Sequence, residues 1–186
     1  MGEFELACVT GRFQPVHDQH LDLFEIALAT AEHLVVAVTN PDSGALYASA
    51  ASAHRHRPAD NPFTYFERVR FLEAALTGRG LRGRTTIVPF DLSTPARWPE
   101  YVPLTARQFV RVYGDWEATK VRLFQDAGYP VAALAGDPAV RRSSSVIRER
   151  MRTGDDWESL VPPALVPTLR GHSLSGSSGR SRGEPV

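Results

Sequence analysis

A chain of 186 residues, 42% hydrophobic and 23% charged, is long enough to bury one core without disulfide staples. Its 21 basic and 21 acidic residues cancel to a formal net charge of zero, which argues against a general binder of nucleic acid or anionic membrane. A single cysteine excludes a disulfide framework, and no apolar run reaches the length of a membrane span.

The first apolar run is FELACVT (4–10), a predicted strand with Cys8 as a core residue. Before it, MGEFELACVT lacks a basic segment followed by a long apolar stretch, so a cytoplasmic chain is expected. Helical spacing follows over 21–31, then a second strand, HLVVAVT (33–39). PDSGALYASAASAHRHRP (41–58) reads as a mobile loop over the sheet. Its His54-Arg55-His56-Arg57 could suggest a metal, but no Cys or carboxylate stands at ligand spacing, and a loop approaching phosphates is the competing reading. A helix is predicted over 64–76 and strands at TTIVP (85–89) and FVRVY (109–113). Next come a helix over 116–127, a strand PVAAL (130–134) and a helix over 144–152. GHSLSGSSGRSRGEPV (171–186) reads as a disordered tail after a single domain over 1–170.

Strands alternating with helices predict an α/β fold, a parallel sheet with helices on both faces. Ligands of such sheets bind beyond the carboxyl ends of the strands. The segment after the first strand, GRFQPVHDQH (11–20), enters a helix with His17 and His20 on one face of its first turn and Arg12 in the preceding turn. Backbone N–H groups and a helix dipole make that place an anion site. One capping and one packing histidine is the alternative. A second candidate cradle is RRSSSVIR (141–148), where serines start a helix between arginines. A capped surface helix with solvated arginines is its plain alternative. Two anion sites on one sheet edge point to a nucleoside triphosphate. Arginine suits that task, although a GC-rich genome produces the same bias; Lys120 is the only lysine. Trp116, after the fourth strand, either stacks on a base or packs beneath its helix.

GRFQPVHDQH resembles the GRFQPFHxGH signature of nucleotidylyltransferases that share an HxGH motif, and RRSSSVIR resembles their second, Ser-rich signature. The likeness is closest to archaeal-type nicotinamide mononucleotide adenylyltransferases. It extends to Asn61-Pro62-Phe63-Thr64 with Glu67-Arg68, to Leu123-Phe124 with Ala127-Gly128-Tyr129, and to GDDWESLVP (154–162), covering roughly 5–167. The resemblance implies a Rossmann-like fold and transfer of a nucleoside monophosphate to an acceptor oxyanion, with Mg-pyrophosphate as the leaving group. It assigns His17 and His20 to the triphosphate and its transition state, and Arg12 to the phosphates. Ser143, Ser145 and Arg148 take the β/γ end, with Arg141 beside them. Gly11, Phe13, Gln14, Gln19 and Ser144 complete the nucleotide-binding set. Mg2+ is expected to be held mainly by triphosphate oxygens and water, with no protein ligand.

Two departures from the family bear on substrate. Gln19 replaces a glycine that leaves room for adenine, so a pyrimidine read by the Gln19 amide is expected, CTP before UTP. A slightly shifted loop that still admits ATP is the alternative. The family's Asn-rich acceptor segment is replaced by Leu92-Ser93-Thr94-Pro95-Ala96-Arg97-Trp98. Arg97 and Trp98 are therefore candidates for a small anionic acceptor, with Arg97 in solvent as the alternative. Both departures suit the branch resembling phosphonate cytidylyltransferases. Rival readings are an ordinary adenylyltransferase joining ATP and nicotinamide mononucleotide, and a nucleotide-binding module without catalysis. No nucleic-acid or membrane partner is expected, and whether the chain forms a homo-oligomer is left open.

Overall fold

Five stretches rich in β-branched and small aliphatic residues become the strands β1 (Phe4–Gly11), β2 (Ala31–Thr39), β3 (Thr85–Phe90), β4 (Arg107–Val112) and β5 (Val131–Ala135). The computed structural model describes residues 2–42, 58–172 and 174. All strand pairs are parallel, in the order β3-β2-β1-β4-β5. The helices are α1 (Asp18–Thr30), α2 (Tyr65–Gly78), α3 (Asp115–Asp126), α4 (Ser144–Thr153) and α5 (Val166–Arg170). Every expected strand and helix is present, with ends displaced by a few residues.

The two-residue period of the strands sorts their side chains onto two faces. Ala7, Val9, Leu34, Val36 and Val38 pack with Phe24 and Leu28 of α1, Phe71 and Leu72 of α2, Ile147 of α4 and Leu169 of α5. Their neighbours Cys8, Val35, Ala37 and Val110 face the other way, against Phe124 of α3, Trp98, Val102 and Tyr129. Burial pushes the Cys8 thiol up to about 12, which fits a core residue. Helices thus cover both faces, as the alternating pattern requires. Helix α5 was not anticipated, because five residues that include Pro167 carry too little periodicity to read.

The switch in strand order falls between β1 and β4. Their pairing ends at Cys8 and Gln108, while β1 continues to Gly11 beside Val38 of β2. Beyond Cys8 the sheet therefore has an opening at its carboxyl edge, the place where open parallel sheets accept ligands. Arg68 of α2 braces one side of it. Its guanidinium is 1% exposed and donates to the carbonyls of Arg12 (3.0 Å), Thr39 (2.7 Å) and Asn40 (2.7 Å), binding the ends of β1 and β2 together.

The expected loop over 41–58, with His54, Arg55, His56 and Arg57, and the expected tail over 171–186 fall largely outside the described residues. Among the described residues no helix is long and apolar enough to cross a membrane.

Candidate active site

Strand β1 delivers the chain to the cleft through Gly11, where a Cβ would stand 2.8 Å from the Phe13 ring. That close approach lets Phe13 fold back at φ 50° and become buried, edge-on to His20 (5.0 Å between centroids) and Phe24 (5.8 Å). His17 occupies the N-cap of α1, and its carbonyl accepts from His20 N (2.9 Å). Its own N–H donates to His20 Nδ1 (3.2 Å), and the two imidazoles stack 3.8 Å apart. Accepting at Nδ1 leaves the neutral His20 proton on Nε2, as a donor. His17 Nδ1 is buried with no hydrogen-bond partner among the described residues.

Burial holds His17 down to about 4, helped by the charges of Arg142 and Arg141. Burial, then His17 and Lys120, holds His20 well below its ordinary value. Both rings are uncharged at neutral pH. A bound polyanion would offset the same positive surroundings and favour both as donors.

The second wall is the start of α4. Ser143 caps it, its Oγ accepting from Ser145 N (3.2 Å), while Ser144 Oγ donates to the Pro15 carbonyl (3.0 Å). Val9–Gln14, His17, Gln19 and His20 from the β1–α1 side meet Arg141, Arg142 and Ser143–Ser145 across a cleft of about 190 Å³. Two helix N-termini thus open on one space, an arrangement suited to an anion through backbone as well as side chains. The volume is below the roughly 300–1,000 Å³ of a drug-sized pocket and matches phosphates better than a whole nucleotide. Arg12 also lines it, at 3.4 Å from the Asp60 carbonyl and 3.5 Å from Asn61 Oδ1.

Several sequence expectations need correction. Arg148 does not line the cleft; it is 1% exposed, donating to the Gln14 carbonyl (2.9 Å), Asp60 Oδ1 (2.8 Å) and Ser145 Oγ (3.2 Å). Such a guanidinium anchors α4 to the rest of the fold, because every bond it makes crosses to another segment or fixes the helix start. Gln14 reaches the cleft wall, but its amide is engaged with the backbone of Phe63, donating to its carbonyl (3.0 Å) and accepting from its N–H (3.1 Å). Trp98 is 1% exposed, packed on Phe124 (5.2 Å) and Phe90 (5.5 Å), with its indole N–H on the Asp91 carbonyl (2.7 Å). It is a core residue and presents no surface to an acceptor. Arg97 points to solvent with Glu100 (3.7 Å) and does not line the cleft. Gln19 does stand at the cleft, but its amide is bonded to the protein: Nε2 donates to the Val140 carbonyl (2.7 Å) and Oε1 accepts from Arg142 N (2.7 Å).

Sequence reasoning also missed cleft residues. Lys120, on α3, is buried beneath the cleft with Nζ donating to the Thr10 carbonyl (2.7 Å). Its four-residue spacing from buried Phe124 marked it as inward-facing, and a lone inward lysine was the available signal. Arg111, Tyr113 and Glu117 line the same space, and so do Arg142 of the RRSSSVIR segment and Trp116, both of them raised by the sequence. Arg141 pairs with Glu117 (2.9 Å) and lies 4.9 Å from the Tyr113 ring centroid.

Residues 8–150 match the model of the cytidylyltransferase-like family, a span that holds both cradles and all five strands but the first residues of β1. The chain belongs to that family. It is accordingly a nucleotidylyltransferase. It is 36% identical to the phosphonoformate cytidylyltransferase of Streptomyces viridochromogenes, over 87% of this chain and 89% of that protein. The nicotinamide-nucleotide adenylyltransferase of Methanoculleus marisnigri is 33% identical over 86% of this chain and 87% of its own length. Among solved structures, the bifunctional NMN adenylyltransferase/ADP ribose pyrophosphatase of Francisella tularensis superposes with a TM-score of 0.61 at 15% identity, covering 90% of this chain. The chain spans 50% of that bifunctional protein, and the likeness concerns the fold. The Rossmann-like architecture expected of the family is the one observed.

Proposed function

We propose that this nucleotidylyltransferase moves CMP from CTP to a small phosphonate and releases pyrophosphate. The observation that carries the reading is the meeting of two helix starts and two uncharged histidines at the sheet's carboxyl edge. It occurs in a chain that matches a phosphonoformate cytidylyltransferase over most of both lengths. In the step itself, a phosphonate oxygen forms a bond to the α-phosphorus. The bond from that phosphorus to the bridging oxygen breaks, and its electron pair leaves with pyrophosphate. A phosphonate acceptor is already ionised near neutral pH, so no side chain has to take its proton. The His20 Nε2 proton and the N–H groups at the starts of α1 and α4 are donors for charge that builds on the leaving oxygens. Lys120, Arg12, Arg141 and Arg142 supply positive charge around them. Ser143, Ser144 and Ser145 shape the far end of the phosphate cradle.

Mg2+ would enter with the triphosphate, held by phosphate oxygens and water and neutralising the leaving pyrophosphate. Among the described residues no group of three or more His, Cys, Asp or Glu side chains could hold a metal ion.

The test is pyrophosphate release by the purified protein with Mg2+, comparing CTP plus phosphonoformate or simple alkylphosphonates with ATP plus nicotinamide mononucleotide. Release with CTP and a phosphonate is expected. Release confined to the second pair overturns the reading in favour of the adenylyltransferase. A thermal shift needs no acceptor: CTP at about 100 times its Kd should add roughly 2.7 kcal/mol, or about 5–10 °C.

A further inference from the structure

We infer that Gln19 is a latch that fixes the turn before α4 against the start of α1, and that this latch, rather than direct reading of the base, selects the nucleotide. The inference rests on CTP being the donor. Gln19 is the second residue of α1, and both ends of its amide are spent on one turn 121 and 123 residues away: Nε2 on the Val140 carbonyl (2.7 Å), Oε1 on Arg142 N–H (2.7 Å). The Tyr113 hydroxyl adds a longer bond to the same Oε1 (3.4 Å). Arg142 continues the seam, donating to Asp18 Oδ2 (3.4 Å). A glycine at position 19 could make none of the side-chain bonds.

The latch stands between two spaces. Gln19, Arg111 and Tyr113 belong both to the wall of the phosphate cleft and to that of a second hollow of about 330 Å³, completed by Ile26, Leu134–Asp137 and Val140. Tyr113 cannot easily retreat to widen the passage. A Cβ at Gly136 would stand 2.6 Å from its ring, so ring and backbone already touch, and the Arg141 guanidinium lies 4.9 Å from the ring centroid. With the phosphates seated between the helix starts, a base directed toward Gln19, Arg111 and Tyr113 would lie along this wall. On this inference, a drawn-down turn narrows the passage and obstructs a fused pair of rings more than a single ring. Removing the Gln19 side chain frees Val140 and Arg142 and opens the passage.

The experiment uses the full chain with Gln19→Gly, and with Gln19→Glu, which keeps an acceptor for Arg142 N–H and loses the donor to Val140. Two quantities are read. Amide hydrogen exchange at Arg142 in the ligand-free protein should quicken at least about tenfold in Gln19→Gly and much less in Gln19→Glu. The ratio of kcat/KM for CTP to that for ATP should fall at least about tenfold in Gln19→Gly, a size within reach of one changed pocket contact. Arg142 exchange unchanged in Gln19→Gly overturns the latch, and so does a base ratio within twofold of wild type, whichever nucleotide the wild type prefers. A wild type that prefers ATP overturns CTP as the donor, separately from either result.

Discussion

The two helix starts that open on the cleft are built in opposite ways. At α1 the cradle grows out of the core: His17 is 4% exposed, Phe13 and Val16 beside it are buried, and the chain arrives directly from β1. At α4 the helix is short, strongly polar and mostly exposed, with only Ile147 and Arg148 buried. It is held in place by individual bonds: Arg148 to Gln14 and Asp60, Ser144 to Pro15, Gln19 to Val140 and Arg142. Burial makes a cradle that resists substitution as a unit, whereas a bolted cradle fails one bond at a time. The same amino acid can therefore have unlike roles on the two sides of one cleft. Arg142 faces the cleft, while Arg148, six residues on, is buried and bonded within the fold.

Breaking the core-grown side should cost the most catalysis. His20→Ala is expected to lower turnover at least about a hundredfold, in line with about 2.7–4 kcal/mol for one preorganised donor to developing charge. CTP binding should be weakened far less, and near-normal turnover would remove His20 from the step. Breaking the bolted side should appear first as stability. Arg148→Met leaves the Gln14 carbonyl and Asp60 without their partner, and a loss of about 1.5–3 kcal/mol is expected for charge-assisted bonds of this kind. Asp60 is partly exposed, which favours the lower half of that range. Urea unfolding checks it, and an unchanged midpoint would show that α4 needs no such anchor.

The smallest effect near neutrality is the pH dependence of the free enzyme, and it sharpens the contrast because it belongs to the α1 side alone. Both histidines titrate lower folded than unfolded, so below about pH 6.5 the unfolded chain takes up protons that the folded one refuses. Stability should be flat above pH 6.5 and fall as the pH drops toward about 4. Saturating CTP with Mg2+ should flatten that fall, since the triphosphate favours the protonated rings. A melting temperature unchanged between pH 7 and 5 would contradict buried, uncharged imidazoles.

The same contrast explains what could be read from the residues alone. Strands, four of the five helices and the α1 cradle follow from period, capping residues and a motif contained in ten consecutive positions. The α4 side depends on contacts between residues 88 to 134 positions apart, and no local pattern announces them. RRSSSVIR indicated a helix start correctly, but not that Arg148 turns inward while Arg142 turns to the cleft. Trp98 misled for a related reason: an aromatic beside an arginine looks like a binding pair, yet the strand ends and α3 supplied Phe90 and Phe124 to enclose it. Lys120 was legible in type and spacing but carried no motif. Gln19 was singled out as a departure, but its bonds to Val140 and Arg142 could be read only from the structure.

Arg68 has a consequence for how this scaffold can diversify. By holding the carbonyls of Arg12, Thr39 and Asn40 at once, it sets the separation of two strand ends without using any side chain that faces the cleft. The chemical edge of the sheet is thereby fixed from behind. If the Gln19 latch selects the nucleotide, substitutions at the turn before α4 or around Tyr113 would change which nucleotide enters while the histidines keep their place, so substrate range and reaction type would be free to change on separate schedules.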